Sequence, residues 1–372
     1  MGIRDVNVFA LYGERKNTGD ISAPFFPTNG TQLFVASIGY DGGSASPALS
    51  GYGITFASGT TATNSTTIAT GSPVTAGQTT ITLTSASGYV VGGYMQVDVN
   101  NTTTPTTAEV RKVVSVASNV VTVDTAFTFS HLAGATVTFA SVVGQTPLFS
   151  HQILPGNTLP SMTVEKNIGG YQSLQFTGSR VGKYGLKVGA GDSSADFTAS
   201  LISKGVNVLN TPSSPISVVN ESPFVFAEAT LTAFGDTISQ VSNIGLDVEN
   251  GLKPTYTFNG NHDLQFLTPL TRKITGQMAV VFDSLNDADW GYYSKMQNQI
   301  QGSLTLSLVH PTTPGAGITI SLNQINIAKY ADDIKLEDVI MSTLDFEASY
   351  ALGANPPASI SAVVTNGTWL PY

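Results

Sequence analysis

The sequence predicts an all-β protein built as duplicated β-sandwich or barrel halves, with one or two short helices and an inserted small β-domain. Period-two alternation is the strongest local signal. It appears in Thr80-Ile81-Thr82-Leu83-Thr84, Val120-Val121-Thr122-Val123-Asp124, Met278-Ala279-Val280-Val281-Phe282 and Leu304-Thr305-Leu306-Ser307-Leu308, each bounded by Gly, Asn, Asp or Ser, as strands are. Helix-like spacing is confined to two short stretches. A series of short motifs also recurs in order in the second half of the chain.

Composition narrows the class. The 372 residues contain no cysteine, which excludes disulfide scaffolds, thiolate zinc sites and thiol nucleophiles. A hydrophobic content of 41% with only 11% charged residues is the opposite of the disorder signature. Lys plus Arg is 16 and Asp plus Glu is 25, for a net charge of −9. That deficit of cations argues against gripping nucleic acid through its phosphates. No run of eighteen apolar residues occurs, so no membrane span is expected. Met1-Gly2-Ile3-Arg4-Asp5 has neither a secretory pattern nor a myristoylation signal, and synthesis in a cytoplasm is the expectation.

The longer helix is expected over residues 286–301, where Trp290, Tyr293, Met296 or Gln297, and Ile300 recur at three- to four-residue spacing. Asn286 would cap its start and Gly302 its end. A shorter one runs from Thr31 to Ile38 and stops at Gly39. Residues 62–143 are rich in Thr, Val, Ala and Gly and carry five strand-like runs, enough for a small barrel or sandwich. Residues 209–223 are rich in Pro and Ser and read as a linker. The expected organisation is therefore a first half over residues 1–61 and 144–208, an insert at 62–143, the linker, and a second half over 224–372.

The repeat flanks the linker. Met162-Thr163-Val164-Glu165-Lys166-Asn167 is followed by Gln175-Phe176-Thr177-Gly178, and Leu246-Asp247-Val248-Glu249-Asn250-Gly251 by Thr257-Phe258-Asn259-Gly260. Gly178 and Gly260 are expected at the turns of the motif. Read as strands, Leu246 and Val248 share one face and Asp247 and Glu249 the other; Met162 and Val164 oppose Thr163 and Glu165 in the same way. Each half then offers a roughly four-stranded sheet with one apolar and one mildly acidic face.

At these residues the chain resembles the tail tube (major tail) proteins of long-tailed bacteriophages. The likeness covers most of residues 25–60 and 145–345. It rests on Leu33-Phe34-Val35-Ala36-Ser37-Ile38-Gly39, Phe149-Ser150-His151, Leu159-Pro160-Ser161-Met162-Thr163-Val164-Glu165, Leu201-Ile202-Ser203-Lys204-Gly205 and Lys273-Ile274-Thr275-Gly276-Gln277. Residues 62–143 lie outside it and look like an inserted decoration.

The resemblance implies a structural virion protein whose inner sheets join edge to edge into a ring, removing exposed strand edges. Rings would stack into a tube through which DNA passes into the host. Two inner sheets per chain favour trimeric, pseudo-sixfold rings, with hexamers as the alternative. About eight inner strands per chain would give about 24 per ring and a lumen on the order of 40 Å across. The implied partners are further copies of the chain, the tape measure protein and the tail terminator and tip proteins, with the virion tail as location. DNA would transit without specific binding. The acids Glu165, Asp247 and Glu249 are the candidate lumen-facing residues, because an acidic wall does not hold a polyanion.

Catalytic chemistry is not evident. His131, His151, His262 and His310 lack ligand spacing. Asp283, Asp287 and Asp289 beside Trp290 read as helix-start acids rather than a calcium site or a glycosidase pair. Gly182-Lys183-Tyr184-Gly185 is not a phosphate loop and reads as a β-turn or kink, and Tyr292 and Tyr293 read as helix residues packed on a sandwich. No catalytic residue, metal or cofactor is expected. The Thr-rich insert keeps a second function open, that of an extracellular adhesin or carbohydrate-binding β-protein.

Overall fold

The computed structural model describes residues 15–41, 55–56, 61–98, 107, 109–141, 148–169, 171–211, 221–257, 262–281, 288–313, 315–333, 340–354 and 357–367. Before the insert come β1 (Asn17–Pro24), α1 (Asn29–Ile38), β2 (Gly39–Asp41) and β3 (Thr55–Phe56). The insert holds β4 (Thr61–Thr67), β5 (Thr80–Thr82), β6 (Tyr94–Val97), β7 (Glu109–Ala117), β8 (Val120–Val123) and β9 (Thr136–Ser141). Then follow β10 (Phe149–Pro155), β11 (Met162–Ile168), β12 (Gln172–Gly189), β13 (Asp196–Ser203) and β14 (Gly205–Leu209). The remainder comprises β15 (Ala229–Ala233), β16 (Asp236–Thr237), β17 (Val241–Glu249), β18 (Lys253–Thr255), β19 (Phe266–Thr268), β20 (Lys273–Val281), α2 (Ala288–Gln297), β21 (Gly302–Val309), β22 (Gly317–Asp333), β23 (Met341–Ala348) and β24 (Ser361–Asn366).

The strands form two layers. One is an antiparallel run in the order β1-β13-β12-β17-β20-β23-β22. The other is built by the first half of β22 with β21, β15 and β16 on one side and β24, β10, β2 and β3 on the other. β22 belongs to both, changing partners at Ile325, which is opposite Gly302 in one layer and Ala348 in the other. Alternation decides what lies between them. Tyr184, Leu186, Val188, Leu246, Val248 and Leu344 from the first layer share one core with Leu304, Leu306, Leu308, Ile318 and Ile320 from the second.

The duplication is present, but its register differs from the motif series read in the sequence. β1-α1-β10-β12-β13 is matched by β20-α2-β21-β22-β23, and the spatial order β1-β13-β12 is repeated as β20-β23-β22. The match holds residue by residue. Ile21 sits opposite Ala199, and Met278 opposite Leu344; Tyr184 sits opposite Ala199, and Tyr330 opposite Leu344. Both long strands carry an irregularity at one place, between Val181 and Lys183 and between Ile327 and Lys329. Each helix sets a ring on the equivalent tyrosine of its unit: Phe34 on Tyr184 at 5.5 Å and 65°, Tyr293 on Tyr330 at 5.6 Å and 67°. The sequence trace of this repeat is Arg15-Lys16-Asn17-Thr18-Gly19 against Arg272-Lys273-Ile274-Thr275-Gly276, with Lys183-Tyr184 against Lys329-Tyr330.

Both helices are close to expectation. α1 ends where Gly39 lets β10 approach, since a Cβ there would meet the Leu154 carbonyl oxygen at 2.5 Å. Thr28, ahead of α1, donates through its N–H and hydroxyl to the Glu221 carboxylate at 3.0 and 2.9 Å, placing an acid at the helix start. α2 is shorter than expected, at Ala288–Gln297; the cap Asn286 and the acids Asp283 and Asp287 lie outside the described residues. Gly182–Gly185 is strand rather than turn, at the irregularity of β12.

The insert has six strands, one more than expected, because β4 pairs with β9. Its sheet runs β4-β9-β6-β7-β8-β5 and closes on itself: Ile68 bridges Leu83, and the Thr84 N–H donates to the Thr67 carbonyl at 2.8 Å. Its core of Ile81, Met95, Val97, Val121 and Phe139 is separate from the main one. At one end lies a buried polar cluster. His131 Nε2 is 2.9 Å from Glu109 Oε1 and its Nδ1 is 3.3 Å from Asp98 Oδ2. The N–H groups of Thr128 and Phe129 each donate to Glu109 at 2.8 Å, and Arg111 pairs with the same carboxylate. Burial pushes the Glu109 carboxyl up, but the bonds from His131, Phe129 and Thr128 and the Arg111 charge outweigh it and leave its pKa below the usual carboxylate value.

Two predictions follow from this packing. A Cβ on Gly276 would collide with the Phe346 ring and meet the Gly245 carbonyl oxygen at 2.5 Å, whereas one on the equivalent Gly19 meets nothing within 4 Å. Gly276→Ala should therefore cost about 1–3 kcal/mol by overpacking and Gly19→Ala far less, as urea unfolding of the two variants would show. Because the folded-state pKa of Glu109 is lowered, its contribution is complete above the unfolded value of about 4.5 and is lost as pH falls through the lower folded value. Thermal unfolding of the insert should move to lower temperature below that pH in the natural chain, and this acid sensitivity should shrink in Glu109→Gln.

Candidate assembly and channel face

The seven-stranded layer turns its second face away from the core. Alternation puts Asp20 on β1, Asp196 on β13, Lys183 and Lys187 on β12, Asp247 and Glu249 on β17, Lys273 and Gln277 on β20, Asp345 and Glu347 on β23, and Lys329 on β22 on this side. Opposite charges meet across strands: Lys183 to Asp247 at 3.4 Å, Lys273 to Glu347 at 3.5 Å. Gln277 donates to Asp345 at 2.8 Å. The paired side chains are about half exposed, so each pair is worth at most about 1 kcal/mol and cannot be what holds the sheet together. Acids outnumber bases among these residues, so the face is polar with a mild negative excess.

The three candidate acids lie on two different strands. Asp247 and Glu249 are two residues apart on β17, on the open face at mid-sheet. Glu165 is on β11, opposite Gln175. That strand belongs to an arm in which only the first part of β12 is paired, with β11 on one side and β14 on the other. Gly178 is not at the hairpin tip. It lies within β12, at φ +62° beside the Lys204 side chain, where the pairing slips between Met162 and Val164. A glycine suits that conformation. Gly260 lies outside the described residues. Sequence reading aligned β11 with β17 because both carry Val-Glu; the register shows that β17 leads into β20, while β11 is part of the arm.

Reasoning from motifs missed the join between the two units. Asn250, at the end of β17, is buried; its Nδ2 donates to the Ser37 and Val181 carbonyls at 2.7 and 3.1 Å. Its Oδ1 accepts from Arg272 Nε at 3.0 Å, and Arg272 also donates to the Ile38 and Gly156 carbonyls at 2.5 and 2.9 Å. Two side chains thus satisfy the carbonyls ending α1 and β10 and tie them to β12, β17 and β20. Burial holds the Arg272 pKa below its ordinary value. The only sequence sign was Asn250 beside Gly251 in the repeat motif.

Among the described residues no group of three His, Asp or Glu is placed to hold a metal. His151 is buried against Asp41 at 2.6 Å, joining the strands on either side of the insert, and His310 accepts the Thr313 N–H at 2.9 Å. No helix among the described residues is long and apolar enough to cross a membrane.

Two register-matched units merged into one sheet, with a buried face, an open polar face and, among the described residues, no strand paired beyond either outer edge, define a structural β-protein of the self-assembling kind. The model of the family described as phage tail tube protein matches residues 10–348, and the chain belongs to that family: it is a structural protein of the bacteriophage virion, a component of the tail tube. Among curated proteins none matches the chain.

The join yields a further prediction. Arg272→Ala removes a donor from the Asn250 Oδ1 and from the Ile38 and Gly156 carbonyls, of which only Ile38 keeps another donor, the Gly156 N–H, so at about 1–3 kcal/mol per acceptor left unsatisfied the variant should lose about 2 kcal/mol or more. Arg15, its counterpart, is 61% exposed and 3.7 Å from Asp263, so Arg15→Ala should stay within about 0.5 kcal/mol. Denaturant midpoints of the two purified variants would show the contrast.

Proposed function

We propose that the protein polymerises as stacked rings into the tail tube and that the open polar face lines the conduit for DNA. The observation that carries this reading is the seven-stranded layer, which buries one face, leaves a mixed-charge face in water and has no partner strand on the outer edge of β1 or on the last part of β22 among the described residues. Closing such sheets into a ring removes both edges at once.

The register-matched duplication favours three copies per ring with pseudo-sixfold symmetry, since each copy already contains two units. Asp247 and Glu249 are the lumen acids in this reading. Glu165, on the arm, is better placed to meet a neighbouring ring. Further copies, the tape measure protein and the tail terminator and tip proteins are the partners, and the chain is made in the host cytoplasm before entering the virion.

Negative-stain microscopy of the purified chain should show hollow rings or tubes with threefold or sixfold end views; discrete monomers at all concentrations would overturn the reading. Asp247→Lys combined with Glu249→Lys reverses charge at mid-sheet without touching the core. Tubes of this variant should retain duplex DNA in a salt-dependent manner where tubes of the natural sequence do not. Equal retention by both would place the two acids elsewhere than the lumen.

A further inference from the structure

The arm repeats, in the first unit, three strands that the second unit uses to build the outer layer. β11 comes just before the long strand of the first unit and β21 just before that of the second. Their pairing, finer than the order of elements, shows that these two strands correspond. Met162 is opposite Ser179 and Gly302 opposite Ile325; each hairpin then slips by one residue, so that Val164 comes opposite Phe176 and Leu304 opposite Leu322. The register that equates Tyr184 with Tyr330 also equates Ser179 with Ile325, Phe176 with Leu322 and Leu174 with Ile320. The third strand agrees. β14 follows β13 as β24 follows β23, and Leu174 is opposite Val208 where Ile320 is opposite Ala362.

The two sets differ in what covers them. In the second unit Leu304, Leu306, Leu308, Ile320, Leu322 and Ala362 are all buried in the main core. These strands rest on the first unit and on β17: Leu306 lines a cavity with Val188 and Ile244, and Asn366, at the end of β24, donates to the Pro27 carbonyl ahead of α1 at 2.8 Å. On the arm the same positions hold, in the same order, Val164, Lys166, Ile168, Leu174, Phe176 and Val208. Alternation turns these six to one face and Glu165, Asn167, Gln175 and Asn207 to the other. Five of the six are apolar, yet the face is open. Ile168 is 49% and Val208 64% exposed, and Val164, Leu174 and Phe176 are half-buried. An apolar face left in water marks a contact surface.

Charge indicates what covers it. Within the chain, Leu306 and Leu186 are buried in one core. The counterpart of Leu306 is Lys166, exposed on the arm, and the counterpart of Leu186 is Asp332, exposed on the outer edge of β22. Two apolar positions that share a core inside the chain are thus replaced, on separate free surfaces of the same molecule, by opposite charges. A second copy, bringing its own Asp332 to Lys166, accounts for both replacements at once. We propose that the apolar face of the arm rests on the second unit of another copy, with Lys166 against the Asp332 of that copy, as β21, β22 and β24 rest on the first unit within the chain. The contact joins two different surfaces, so repeating it generates a ring where the rotation closes. It rests on the ring reading and deepens it by naming the surfaces that meet.

Reversing one charge should break this contact, and reversing both should restore it. Lys166→Asp and Asp332→Lys should each keep the thermal midpoint of the unassembled natural chain while raising the concentration needed for tube formation about tenfold or more. The double variant should assemble near the natural concentration. Assembly of both single variants at the natural concentration, or no recovery in the double variant, would overturn the contact. The chain has no native cysteine, so Lys166→Cys combined with Asp332→Cys gives a second measurement should a reversal prevent folding. A short bifunctional maleimide should convert assembled tubes of this variant into covalent dimers and larger species on a denaturing gel, and either cysteine alone should not. Tubes that stay monomeric on the gel, or that link only within one chain, would overturn the contact while leaving the ring reading in place. A natural chain that forms neither rings nor tubes would overturn the ring reading and the contact with it.

Discussion

A single strand, hydrogen-bonded along both edges, makes two units into one sheet. β17 pairs over seven positions with β12 and eight with β20, and everything on the open face depends on it. It fixes the register of the two units, and with it which residues turn to the core and which to solvent, because a slip of one residue would exchange the faces. Leu246 and Val248 are buried on one side while Asp247 and Glu249 stand on the other. The strand is anchored where it ends, by the hydrogen bonds of Asn250 and Arg272 to the carbonyls of Ser37, Val181, Ile38 and Gly156. A buried network of this kind, with its members satisfied, specifies one arrangement rather than merely adding stability.

The β class, the two short helices and the small inserted β-domain were legible in the sequence because period-two alternation reports burial directly. The duplication was legible too, but in the wrong register. Val164-Glu165 and Val248-Glu249 look alike because a half-buried strand has few residue types to choose from, and composition imitates homology. The pairing that the fold obeys, Arg15-Lys16 with Arg272-Lys273 and Lys183-Tyr184 with Lys329-Tyr330, is interrupted by an insert of about eighty residues that the second unit lacks. It became visible once strand partners were known. The acids on β17 were found because alternation fixes the face, whereas the Asn250–Arg272 join was not, since long-range bonds to backbone carbonyls leave no local pattern.

The insert shows how the scaffold tolerates a large interruption. It leaves after β2 and β3 and returns at β10, and these strands pair with one another at the point of departure. The Asp41–His151 contact joins the same two strands. A closed barrel with its own core and its own buried charge cluster places few demands on the sheet beneath it, which is why the first unit keeps the register of the second despite carrying it.

The two units differ most informatively at the sheet edge. Leu186 in the first unit is buried beside β17; the same position in the second is Asp332, exposed on the outer strand and accepting a hydrogen bond from Ser342 at 2.8 Å. A charged residue at an inward position is one of the ways proteins stop an edge strand from recruiting any chain that drifts against it. β1, at the other end, carries Asp20 and ends in Pro24, which lacks an N–H to offer a partner. A protein with only 11% charged residues thus puts charge where an unassembled copy is most open to indiscriminate pairing. Under the proposed ring closure the cost is a weaker contact per edge, which is offset because each copy would be held on two sides at once.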